Sequence, residues 1–160
     1  MSTSIYSLLE IFEKNKILYE LYSSEDNSIY VQVAVPNKRW RFVFPQSGSM
    51  YLKIYKSTEE IQDNSKLTEL GERFKFSTDN SYSLTDGLRK KNIDFFMAQY
   101  REGEVALMVS IMLPDEHWEV EFFESEEAGD GDMVQVEVFK SSSEIFGEEK
   151  IPELVKIFAD

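Results

Sequence analysis

Alternation with a period of two dominates the chain. Ile29–Val35 (IYVQVAV) sets Val31, Val33 and Val35 on one side, Trp40–Phe44 does the same with Trp40, Phe42 and Phe44, and Met50–Tyr55 with Leu52 and Ile54. Further along, His117–Phe123 (HWEVEFF) places Trp118, Val120 and Phe122 together, and Met133–Phe139 (MVQVEVF) alternates again. These runs predict half-buried strands, as do Ile17–Ser23, Ile93–Tyr100 and Glu104–Leu113, the last two joined across Arg101-Glu102-Gly103. Helical spacing appears in four places. Ser7–Lys14 carries Leu8, Ile11 and Phe12; Ser65–Phe74 carries Leu67, Leu70 and Phe74. Ser83–Lys91 is a helix weakened by Gly87, and Ile151, Leu154, Val155 and Phe158 line a last one with Pro152 in its first turn. Asn15 is expected to end the first helix in the left-handed conformation.

The order repeats. Ser7-Leu8 matches Ser83-Leu84 and Ile17 matches Ile93; Pro36 and Trp40 match Pro114 and Trp118. Tyr55-Lys56-Ser57 matches Phe139-Lys140-Ser141, Glu60-Ile61 matches Glu144-Ile145, and Phe74 matches Phe158. The spacing grows only where a turn or loop is predicted, which is where insertions are tolerated. The expected fold class is α+β, a tandem duplication of an α-β-β-β-β-α unit. Short connections make each sheet an antiparallel meander, and one apolar face requires a cover of helices. The expected division is residues 1–78, a first repeat, and residues 79–160, a second, packed together, with Ser77–Ser81 (STDNS) as the linker.

Composition narrows the function. The 160 residues are 42% hydrophobic, enough for a buried core. There is no Cys, so disulfides, thiol catalysis and Cys-based metal sites are excluded. The first residues lack the basic-then-apolar order of a signal peptide and no apolar run approaches a membrane span; the expected location is the cytoplasm. A formal net charge of −13 disfavours binding to nucleic-acid phosphates or anionic membranes and favours a basic protein partner.

That charge is one-sided. Residues 1–78 hold 10 Lys+Arg and 10 Asp+Glu, whereas residues 79–160 hold 7 and 20. On the strand face opposite the expected core, the first repeat offers Arg39, Arg41 and Lys53 among Tyr30, Tyr51 and Tyr55. The second offers Glu119, Glu121 and Glu137 beside Met108, Met112, Phe123 and Phe139, and the Glu124–Asp132 loop (ESEEAGDGD) adds carboxylates. The candidate partner-binding set is therefore Glu119, Glu121, Phe123, Glu124, Glu126, Glu127, Asp130, Asp132 and Glu137. Apolar anchors would give affinity and carboxylates would steer. Two plainer accounts of the same residues are a solvated strand face and basic and acidic faces that meet each other, within the chain or in a homodimer.

Catalytic chemistry finds little purchase. Asp130-Gly131-Asp132 lacks the spacing and terminal bidentate Glu of an EF-hand. His117 is the only histidine, and its counterpart in the first repeat is Arg39. Glu119 and Glu121 lie two apart on one strand face without a visible cleft, and Ser141-Ser142-Ser143 has no nucleophile context. No enzymatic activity, metal or cofactor is expected.

HWEVEFFE with VQVEVFKSSSEIFGEEKIPEL resembles small acidic bacterial proteins of the toxin-immunity kind, cytoplasmic inhibitors encoded beside contact-dependent or polymorphic toxins. The resemblance implies stoichiometric binding to a basic toxin domain, often a nuclease, and transfers no individual residue. The alternatives are a secretion-effector chaperone, which would hold extended polypeptide along an apolar groove and would commonly be a homodimer, or a protein-interaction domain of another kind.

Overall fold

A computed structural model of the chain describes residues 3–98, 106–124 and 132–159. Among the described residues the fold is α+β, with four α-helices and eight strands joined as antiparallel meanders. The chain runs α1 (Ile5–Lys14), β1 (Glu20–Ser23), β2 (Ile29–Val35), β3 (Lys38–Phe44), β4 (Tyr51–Gln62), α2 (Asn64–Phe74), and then α3 (Ser81–Lys90), β5 (Asp94–Ala98), β6 (Ala106–Met112), β7 (Glu116–Glu124), β8 (Asp132–Ser141), α4 (Ile151–Ile157). The hairpin turn expected at Arg101-Glu102-Gly103 lies outside the described residues.

Two compact units divide the chain differently from the expected 1–78 and 79–160. One is Met1–Lys56 with Ser141–Asp160; the other is Ser57–Lys140. The division falls within β4, which is longer than the expected Met50–Tyr55 and serves both units. Its first half closes the order β1-β2-β3-β4, and its second half opens the order β4-β8-β7-β6-β5. As a result α4 belongs to the first unit and α2 to the second.

In the first unit Leu8 and Phe12 of α1 and Ile151 and Leu154 of α4 pack on Val31, Val33, Trp40, Phe42 and Leu52. In the second, Leu67 and Leu70 of α2 and Leu84 and Leu88 of α3 pack on Val109, Ile111, Trp118, Val120, Val136 and Val138. These are the alternating positions read from the sequence, and each fully buried Leu or Phe contributes about 2 kcal/mol from removal of apolar surface.

Ser77–Ser81 is not a free linker. Phe76 N–H donates to the Gly71 carbonyl at 3.0 Å, Thr78 is buried, and a Cβ placed on Gly71 would lie 2.9 Å from the Thr78 methyl. The segment between α2 and α3 is part of the packing of the second unit, because both helices cover one sheet.

Positions paired by sequence spacing show similar local geometry. Ser4 accepts from Ser7 N–H as N-cap of α1, and Asn80 accepts from Ser83 N–H as N-cap of α3. Ile17 N–H donates to Phe12 O and Ile93 N–H to Leu88 O, each at 2.9 Å. The left-handed residue of each helix end is Lys16 (φ 57) and Asn92 (φ 55), not Asn15. Asn15 keeps φ −99 because both its backbone N–H and its side-chain amide donate to Ile11 O, which carries the turn one residue further. Later in the chain Glu59 (φ 66) and Ser143 (φ 71) are again left-handed, and their amides donate to Ser57 Oγ and Ser141 Oγ at 2.9 and 3.0 Å.

Candidate interaction surface

The register of β6, β7 and β8 arranges the acidic strand residues in rows. Met112, His117 and Phe139 face one another across the three strands, as do Ser110, Glu119 and Glu137, and then Met108, Glu121 and Gln135. All nine point away from the helix-covered core, as alternation requires.

This face is not a solvated acidic surface. His117 is 0% exposed, Glu121 6% and the Glu119 side chain 10%, while Phe139, Met108, Met112 and Ser110 are buried. His117 Nε2 lies 3.0 Å from Glu119 Oε2, and the His117 and Phe139 rings are 5.7 Å apart. Glu137 is half-buried and accepts the Ser57 hydroxyl at 2.6 Å. Glu119 and Glu121 are therefore withdrawn from the exposed surface expected of them, and the solvated-face reading fails with them. Phe123 is half-buried.

The corresponding face of the first unit behaves alike. Gln32, Arg39, Arg41, Val43 and Tyr55 are buried. Arg41 lies over the Tyr55 ring at 4.3 Å and near the Tyr30 ring at 5.5 Å, and it donates from Nη1 to the Tyr55 hydroxyl at 2.8 Å. Arg39 donates to the carbonyls of Val35 and Lys38. These bonds give the Nη1 donors of Arg39 and Arg41 acceptors, which burial would make costly to lack.

A signal for this two-sided burial was present in β6. Its sequence, ALMVSIM, is nearly continuous in apolar residues, the mark of a strand covered on both faces. Ser57, which fixes Glu137, carried no sequence signal.

The remaining acids of the candidate set sit around the β7–β8 connection. Glu124 and Asp132 are backbone partners at its two ends. Glu126, Glu127 and Asp130 lie outside the described residues. From Glu124 to Asp132 the sequence holds five carboxylates and no Lys or Arg. Charge also divides by compact unit: the first holds 9 Lys+Arg against 10 Asp+Glu, the second 8 against 20. On the helix side of the second unit, Asp63 caps α2, and bonds from the Ser65 hydroxyl and amide hold its carboxyl below the usual range.

Among the described residues no group of three or more His, Cys, Asp or Glu could hold a metal ion, and no helix is long and apolar enough to cross a membrane. No family model, curated protein or solved structure matches the chain.

Proposed function

We propose that this chain is a non-enzymatic cytoplasmic inhibitor of the immunity kind, which binds a basic protein through the second unit. The observation that supports the reading is the partition of charge, net −1 in one unit and −12 in the other, with five carboxylates and no cation in nine residues of the β7–β8 connection. Burial of Glu119 and Glu121 moves the contact region to that connection: Glu124, Glu126, Glu127, Asp130 and Asp132. Dense like charge there raises the encounter rate with a cationic partner and discriminates against acidic ones.

The test is capture of partner protein by the chain and by a variant carrying Glu126→Lys, Glu127→Lys and Asp130→Lys. The reversal should abolish capture at about 50 mM salt, and wild-type capture should itself weaken at about 300 mM as screening shortens the reach of charge. Equal capture by variant and wild type, with equal melting temperatures, sinks the reading.

The doubled architecture has an origin of its own. We infer a tandem duplication, supported by left-handed residues at Lys16 and Asn92 and at Glu59 and Ser143, and by the paired Ser57 and Ser141 bonds. The boundaries of the compact units obey the same spacing, since Lys56 and Lys140 are matched positions. Each repeat thus lends its last helix to the other's unit.

A further inference from the structure

We propose that Ser141–Ala159 is a strap that opens locally, well before the rest of the fold, and so uncovers the apolar face of the first unit. The inference comes from comparing two matched segments, and it does not depend on the acidic-contact reading.

From Ser57 the chain continues as strand to Gln62. Asp63 then caps α2, which has 11 residues and buries Leu67, Leu70 and Gly71. Beyond it Lys75 makes a left-handed cap, and Phe76 and Thr78 pack on Gly71 and Gly87.

From Ser141 the matched segment is held by much less. The strand ends at Ser141, and pairing resumes only as an isolated bridge between Phe146 and Leu52. That bridge is two hydrogen bonds, Leu52 N–H to Phe146 O at 2.8 Å and Phe146 N–H to Leu52 O at 2.9 Å. The helix that follows, α4, has 7 residues, no side-chain cap bond, and buries Ile151 and Leu154 alone. Thr3 bonds Glu148 at an exposed position. A helix of this length has little stability of its own, so the attachment rests on buried Ile151 and Leu154, half-buried Phe146, Val155 and Phe158, and the two bridge bonds. Local openings range from near zero up to the global stability, and sparse attachment places this segment at the low end. Once it lifts, Leu8, Phe12, Trp40 and Leu52 lose part of their cover.

Leu52 offers a direct reporter. Its amide points to Phe146, so by strand alternation the amide of Lys53 points to β3. Native-state hydrogen exchange on the full chain, read by NMR, should find the Leu52, Phe146 and Phe158 amides exchanging at least about 100-fold faster than those of Lys53 and Leu70. Leu67→Ala, which weakens the second unit, should speed exchange at Leu70 and leave Leu52 unchanged. Equal protection at Leu52 and Lys53 in the wild type, or a Leu52 rate that follows Leu70 in the variant, overturns the proposal. The wild-type comparison stands even if the variant does not fold.

Discussion

His117 and Glu119 sit two apart on β7 with Nε2 and Oε2 3.0 Å from each other, the imidazole fully buried and the carboxylate nearly so. Two residues that look like solvated strand polars are thus part of an internal polar layer. Charge reversal there strands buried charges, so Glu119→Lys with Glu121→Lys should destabilise the protein by at least about 3 kcal/mol. Urea unfolding followed by circular dichroism measures it. An unchanged midpoint would return these glutamates to the surface.

The helix-covered side of the fold was legible because it obeys period: Val31, Val33, Trp40 and Phe42, and later Trp118 and Val120, alternate with polar residues and are buried. The opposite side was not, because alternation only divides a strand into two faces and does not say that one is wet. Arg41 and Glu121 read as exposed by residue type, and both are buried. The compact units were equally hidden. Sequence order placed Leu67 and Leu70 in the expected first repeat, but all the helices share the same apolar spacing, and only packing assigns α2 to the second unit.

Gly87 read as a flaw in α3, but a Cβ built on it would fall 2.2 Å from the Phe76 ring. The glycine makes room for the segment that returns from α2. Gly87→Ala should therefore destabilise by about 1–3 kcal/mol through overpacking, against its favourable helix propensity. In a Phe76→Ala background the ring is gone and the Phe76 Cβ stays 2.8 Å from the added methyl, so the same change should cost less than in the wild type. A double-mutant cycle by urea titration reads both values; additive effects would remove Phe76 as the cause.

Arg41 is held by shape as well as charge, with Cζ 4.3 Å from the Tyr55 ring centroid and one N–H on the Tyr55 hydroxyl. Lysine keeps the charge but cannot reproduce that fork. Arg41→Lys should cost about 1–3 kcal/mol, comparable to losing a buried cation–π contact and a charge-assisted hydrogen bond. Thermal unfolding of the variant at neutral pH provides the check, and a melting point within error of wild type would show that charge alone suffices at this position.

Asp63 gives a pH dependence with a definite sign. Bonds from the Ser65 hydroxyl and then the Ser65 amide lower its pKa in the folded chain. The unfolded chain therefore takes up the proton first as pH falls. The cap's contribution is complete above the ordinary aspartate pKa, about 3.9, and is lost as pH drops through the lower folded value. Asp63→Asn retains an acceptor for the Ser65 amide but has no proton to gain. Its stability should decline less steeply than wild type between about pH 5 and pH 2, where the unfolded carboxylate titrates. Melting temperatures measured across that range compare the two slopes. If the curves run parallel down to the lowest pH, protonation of this cap contributes nothing to acid unfolding.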